Sequence, residues 1–376
     1  MENGIRIIEV KTKKQQKEFI EFPLRLYKGN PFFVPPLYGD EKKLFTDKNT
    51  YNLTCKSVFF IAENNGETVG RIQGIIQNQY NQIHGVSQAR FTRFDCEKDE
   101  KIASALFSAV ENWAKEQGAN QIVGPLGYSD LEREGLLIDG FCYLSTYEEQ
   151  YNYPYYQGLI ERQGYQKDVD WVEYRIYPEV YNHEKLMRYG ERALKKCNLH
   201  FGGVGLSKKA YIEKYKEGIF NCIDECYKDL YGTVPFTPEM IQQMVEQFQL
   251  VVNMKYIFVL CDEDEKVVAF GLGLPGIGRA VQASGGKLTP LTIVKLLKEI
   301  AKPKTIDLAL IGILPKYRNS GLNAIVLAKL QDMILKEKIQ YLETNLNLED
   351  NVSVQGQWRH FKHIQHKRRR CFKKDI

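Results

Sequence analysis

The residues whose types and spacing best suit chemistry fall in two short stretches near the C-terminal end. Arg318-Asn319-Ser320-Gly321 makes an Arg-x-x-Gly turn after the apolar run 306–313 and before a segment with Leu322, Ile325, Val326, Ala328, Lys329 and Met333 at near-helical spacing. A strand that feeds a glycine-containing turn at a helix N-terminus leaves backbone N–H groups unpaired, and such groups hold phosphate oxygens. The expectation is a pyrophosphate site on a strand buried on both faces. Downstream, Glu343, Asn345 and Asn347 alternate, which on a continuous strand points all three to one side. Glu343 is the candidate general base or amine-binding carboxylate, with Asn345 beside it. The competing reading is a carboxylate satisfied by backbone or an arginine. Asn351 precedes a helical stretch and either caps it or reaches a ligand.

Other reactive types carry less. None of the eight cysteines forms a C-x-x-C pair, and Cys222 and Cys226 have no matching second pair, so reduced thiols and no metal are expected. His360, His363 and His366 are three apart, a spacing that on a helix does not gather one ligand set. Lys367-Arg368-Arg369-Arg370 reads as a solvated terminal run, or as contact for an anionic partner. The net charge is +5, with much of the excess near the C-terminal end. A near-neutral body argues against a dedicated nucleic-acid binder and agrees with a small anionic ligand. No signal core or membrane span is visible, so a cytoplasmic protein with no membrane partner is expected.

The elements that must position these groups come in a repeated order. With 376 residues and 43% hydrophobic content, two domains are expected, 1–178 and 179–376. In the first, strands at 57–63 and 67–77 flank an Asn64-Asn65-Gly66 turn, a hairpin signal. A strand near 88–95, a helix at 98–117, a strand at 120–124, a helix at 155–163 and a strand at 169–177 follow. A helix at 182–197 opens the second half. Helices near 208–230 and 238–249 come next, then a hairpin of 256–263 and 266–275, a helix at 289–301, the strand and helix around Arg318, and a strand at 339–347. The fold class is α/β (α+β), each half a mixed central sheet flanked by helices.

This order, with Arg318 and Gly321 after the fourth strand of the second half, resembles the Gcn5-related N-acetyltransferase (GNAT) superfamily. The chain is also similar to a bacterial family of acetyltransferase-like proteins that carry two such folds in tandem. The matching residues are Gly271-Leu272-Gly273-Leu274-Pro275, Gly286-Lys287-Leu288 with Pro290, the run from Ile313 to Leu322, and Glu343 to Asn351. In the first half they are Phe22-Pro23, Leu26-Tyr27, Val34-Pro35-Pro36-Leu37, Val69-Gly70-Arg71-Ile72 and Gly124-Pro125. The resemblance implies that acetyl-CoA or another acyl-CoA is the co-substrate and an amine the acceptor. It implies that Ile311, Gly312 and Ile313 contact the thioester, and that Arg318, Asn319, Ser320, Gly321, Leu322, Asn323 and Asn351 hold the coenzyme. Ala309 stands where a base is common, Trp358 where a proton-donating tyrosine is common, and Asn323 where the turn usually has a small residue. The matching segment of the first half, 91–101, has no glycine and carries Asp95, Glu97, Asp99 and Glu100. Those charges repel phosphates, so no working coenzyme loop is expected there. Two alternatives stay open: a non-catalytic coenzyme-binding module, and a Fem-type aminoacyl-tRNA-dependent transferase supported locally by the basic run. A homodimer is a possible assembly.

Overall fold

The computed structural model describes residues 4–376. Its strands are β1 (Arg6–Glu9), β2 (Cys55–Asn64), β3 (Glu67–Gln77), β4 (Gln88–Cys96), β5 (Gln121–Gly124), β6 (Leu136–Asp139), β7 (Gln166–Val180), β8 (His200–Phe201), β9 (Ile257–Cys261), β10 (Val267–Pro275), β11 (Thr305–Ile313), β12 (Tyr341–Thr344), β13 (Asn347–Leu348) and β14 (Phe361–Asp375). The chain divides into two compact units. One runs up to Val172 and takes in Gly278–Ile293 and Lys367–Ile376; the other comprises Glu173–Ile277 and Val294–His366. The expected division gave everything beyond residue 178 to the second domain, whereas two stretches from that part of the chain pack into the first unit.

In the first unit the strands run β1-β2-β3-β4-β5-β14, antiparallel except for β4 with β5. The β2–β3 turn has Asn65 and Gly66 at φ 51° and 83°, the left-handed pair that a tight hairpin needs. Helix Glu100–Glu116 buries Ile102, Leu106, Phe107 and Val110 against Val69, Ile72 and Ile76 of β3. Gly74 permits that approach, since a Cβ there would lie 2.6 Å from Val110 Cγ2.

In the second unit the order is β7-β12-β11-β10-β9-β8, with only β11 and β12 parallel. Helix Leu322–Lys336 buries Leu322, Ile325, Val326 and Leu330, and helix His183–Lys196 lies so close that a Cβ on Gly190 would sit 2.5 Å from Ile325 N.

Both units thus repeat one scheme. An antiparallel meander ends in a strand, β4 or β11, that crosses by a long helix to a parallel partner. Each of these strands carries one extra residue against its antiparallel neighbour: β4 passes from Asp95 to Thr92 while β3 passes from Arg71 to Gln73, and β11 passes from Leu310 to Leu308 opposite Leu272 and Gly273. Such bulges bend a strand and re-aim its peptide groups.

Four local expectations are corrected. β11 is not buried on both faces: Asp307 to Ile311 are each half-buried. His363 and His366 stand on β14, with His360 closing a 3-10 turn before it, so helical spacing does not apply to them. β12 ends at Thr344 and Asn347 opens the separate β13, so Glu343, Asn345 and Asn347 do not share one continuous strand. Lys367 and Arg369 are not solvated: they are 1% and 0% exposed and both pair with Glu149, at 3.0 and 3.2 Å. Arg368 and Arg370 pair with Asp170. Among the described residues no helix is long and apolar enough to cross a membrane.

Candidate active site

The parallel ladder between β11 and β12 ends where Leu308 faces Thr344. Asn345 then closes it, its N–H donating to Leu308 O at 3.1 Å and its Nδ2 to Ala309 O at 3.2 Å. Ala309, expected beside the reacting centre, is the bulged residue. Beyond it Ile311 stays in register with Gly271 of β10, while its N–H and carbonyl bond a side chain. The Tyr227 hydroxyl accepts from Ile311 N at 3.2 Å and donates to Ile311 O at 3.0 Å. Tyr227 is half-buried and is the last residue of helix Lys208–Tyr227, whose buried side includes Tyr211, Tyr215, Cys222 and Ile223. Gly312 lets this helix end come close: a Cβ there would lie 3.2 Å from Cys226 Sγ. A phenol held on a strand amide can share a proton with a group that binds at the same peptide. Tyr227 was not among the sequence candidates. Its helical position was legible, but the strand it meets was not.

The turn after β11 has the geometry that an anion needs. Asn319 and Gly321 take φ 64° and 91°, and no side chain caps helix Leu322–Lys336. Its first amide groups therefore keep their positive end toward solvent. Arg318 is exposed and reaches back to Cys226 O at 3.3 Å, while Ser320 Oγ is turned inward onto Tyr317 O. Leu322 is core and contributes only backbone; Asn323 is exposed. The Cys226 thiol is held below the ordinary thiol range by its hydrogen bond to Cys222 and by the Arg318 guanidinium, against burial. Asn323, where the resemblance implies a small residue, is exposed.

Glu343 is 4% exposed and pairs with Arg175 of β7, whose Nε lies 3.1 Å away; His366 Nε2 is 3.3 Å from the same oxygen. Arg175 stacks over Tyr341, 4.0 Å from its ring centre. By register Arg175, Glu343 and Asp307 stand side by side on three strands, so their side chains share one face. A carboxylate clamped by guanidinium is a weak proton acceptor and a firm electrostatic anchor. Asn347 accepts from buried Trp358 at 3.3 Å. Asn351 spends its side chain on the N–H of Val354 at 3.2 Å, capping helix Val352–Gln355.

The matching place in the first unit is closed by its own side chains. Asp99 caps helix Glu100–Glu116 through Lys101 N at 2.7 Å. At the end of β4 the Cys96 peptide is engaged twice: its N–H donates to Tyr156 Oη at 3.2 Å, and its carbonyl accepts from Tyr155 Oη at 2.7 Å. Asp95 is buried against Arg71 and Tyr27, each at 2.9 Å. Among the described residues no group of three or more His, Cys, Asp or Glu side chains is placed to hold a metal ion.

No family model matches the chain. It is 27% identical over 374 residues to Protein YghO of Escherichia coli (strain K12), covering 97% of this chain and 94% of that protein. It is 26% identical over 327 residues to the bacterial ceramide synthase of Caulobacter vibrioides (strain NA1000 / CB15N), covering 84% of this chain and 82% of that protein. In structure it is similar to a tandem GNAT protein from the clavulanic acid biosynthesis pathway, with a TM-score of 0.56 and 11% identity, covering 99% of this chain and 98% of that one. The fold is therefore that of a tandem GNAT protein.

Proposed function

We propose that the chain is an acyl-CoA-dependent N-acyltransferase whose reaction takes place in the second unit. The observation that carries this reading is the juxtaposition at the end of β11. Ile311 faces Gly271 of β10, but its N–H and carbonyl both bond the Tyr227 hydroxyl, and the strand leads on to the Arg318–Gly321 turn and its uncapped helix. In this reading the turn, with Leu322 and Asn323 N–H, holds the pyrophosphate, and the edge Ile311–Ile313 holds the pantetheine arm. When bound, the coenzyme supplies an activated thioester. The Ile311 N–H exchanges its bond to Tyr227 for one to the thioester carbonyl, which it polarises, and the freed Tyr227 hydroxyl returns a proton to the departing thiolate, the task that Trp358 cannot perform. Glu343, anchored by Arg175, attracts the acceptor's ammonium group rather than acting as a free base. The first unit is read as lacking coenzyme, because Asp99 fills the place that Gly321 leaves open.

The similarity to a protein named ceramide synthase favours a lipid amine and a fatty acyl donor over a small polar amine. The basic run gives little support to a tRNA-dependent reaction, since its cations are engaged by Glu149 and Asp170. The test is a thermal-shift series with coenzyme A, acetyl-CoA, long-chain acyl-CoA and tRNA, followed by thiol release over polar and long-chain amines. Acyl-CoA should raise the melting temperature and tRNA should not. Thiol release should require an amine. No shift with any coenzyme rejects the reading, and binding without release leaves the non-catalytic module. Arg318→Glu should abolish all coenzyme binding; one remaining equivalent would place a site in the first unit.

A further inference from the structure

Helix Pro290–Ala301 presents an arrangement that the acyl-transfer reading does not use. Its sequence, with the flanking turns, is KLTPLTIVKLLKEIAKPK from Lys287 to Lys304. Only Thr292 and Leu296 of the helix are buried, with Glu299 and Ile300 half-buried beside them. At 3.6 residues per turn these four define the inward side. The outward side is aliphatic and open: Leu291, Ile293, Val294 and Leu297 are 65%, 38%, 49% and 49% exposed, and Leu288 in the preceding turn is 48% exposed. On the helix Lys298 falls within this arc, between Val294 and Leu291, Lys295 lies just beyond Leu291, and the turn after the helix adds Lys302 and Lys304, all exposed. Among the described residues no carboxylate pairs with any of these four lysines. The one acidic residue of the stretch, Glu299, lies on the inward side.

Singly exposed leucines are ordinary; an aliphatic arc interleaved with and bordered by unpaired lysines is not. Protein interfaces are rich in aromatic residues and arginine and poor in lysine. This face has no aromatic residue and no arginine. Aliphatic side chains beside lysines instead match a surface that offers hydrocarbon below and anionic groups above. We infer that helix Pro290–Ala301 docks the protein on an anionic lipid bilayer, lying in its surface with Leu291, Val294 and Leu297 in the acyl region and the lysines at the headgroups. The sequence expectation of no membrane partner weighed only a span.

The test is flotation of the full chain with phosphatidylcholine vesicles, with and without phosphatidylglycerol. The intact protein should float with the anionic vesicles and lose binding as salt is raised. The double variant Leu291→Glu/Leu297→Glu should bind about tenfold more weakly. Lys295→Glu/Lys298→Glu should lose at least roughly fivefold per lysine. Both pairs are exposed, and an unchanged melting temperature shows that the fold is kept. A thermal shift with coenzyme A, measured on the same samples, should be the same in all three proteins, so failure at the coenzyme site is read apart from failure at the bilayer. No flotation of the intact protein, flotation that ignores both variants, or equal binding to neutral vesicles overturns the proposal. Leu291-dependent retention by an acidic acyl carrier protein without flotation also overturns it, in favour of a protein partner.

Discussion

In the proposed reaction Tyr227 is the residue on which the chemistry turns. Its hydroxyl bonds both backbone polar groups of Ile311, the N–H and the carbonyl. Tyr227→Phe should cost only about 1 kcal/mol of stability, the ordinary worth of such hydrogen bonds. It should lower kcat by about a hundredfold, the low end for a lost proton donor. Steady-state kinetics decide the matter: kcat should fall with KM for the coenzyme nearly unchanged, whereas a kcat within about twofold of the parent removes Tyr227 from the role. Glu148 supplies a test of electrostatics away from the chemistry. Burial pushes its carboxyl up from 4.5 to about 7, with Arg133 pulling it down and Asp40 adding to the rise. Its Oε1 is enclosed without a hydrogen-bond partner. Between those two values the folded chain holds a proton that the unfolded chain has released, so stability falls as pH rises through the window and levels above it. Glu148→Gln should flatten that slope and stabilise the protein by about 3 kcal/mol near pH 8. Urea midpoints at about pH 5 and pH 8 measure it, and a slope identical in the variant would show that the titrating group lies elsewhere.

Among the elements, helices and hairpins were the most legible because their signals are local. The Asn65-Gly66 turn, the apolar stripe of helix Glu100–Glu116 and the order of strands all follow from residues within a few positions of each other. β11 was harder. An apolar run does not distinguish a strand covered on both faces from one left half-open, and only the packing shows that Asp307 to Ile311 are half-buried. Glu343 was found as a singular carboxylate in a core strand. Its arginine partner lies on a strand 168 residues earlier, and no local pattern joins the two. The close pairing of helices Leu322–Lys336 and His183–Lys196 rests on Gly190. Gly190→Ala gains about 1 kcal/mol of helix propensity. It must also displace the Ile325 backbone, an overpacking cost of about 3 kcal/mol. The expected net is a loss of about 2 kcal/mol in thermal unfolding, with weaker coenzyme binding, since the displaced helix begins at the Arg318 turn. A variant as stable as the parent would mean that the two helices can separate freely.

At the scale of the whole molecule the sequence was least informative. The repeated order of elements suggests two domains laid end to end, but the first unit is completed by Gly278–Ile293 and Lys367–Ile376. The terminal strand supplies β5 with an antiparallel partner through Phe372 and Lys373, and β6 with another through Arg368 to Arg370. Phe372 is fully buried in the first unit's core, and Lys367 and Arg369 meet a carboxylate that is only 3% exposed. The partners are 218 residues apart in the sequence, which is why four consecutive basic residues read as a solvated tail. Removing the last ten residues therefore takes away a core strand, a buried aromatic ring and two cations facing Glu149. A buried charge that loses its partners costs about 3–5 kcal/mol, and a buried phenylalanine adds about 3 kcal/mol more. That sum is comparable to the stability of a typical domain. The truncated chain should lose the first unit while the second, which contains none of those residues, stays folded. Limited proteolysis read by mass spectrometry should show rapid cleavage confined to the first 172 residues and to Gly278–Ile293. By the same argument a fragment ending at residue 178 should not fold alone, so coenzyme binding by the first unit has to be tested in the full chain. Protease resistance equal to the parent in the truncated protein would show that the terminal strand only decorates a sheet that is already stable.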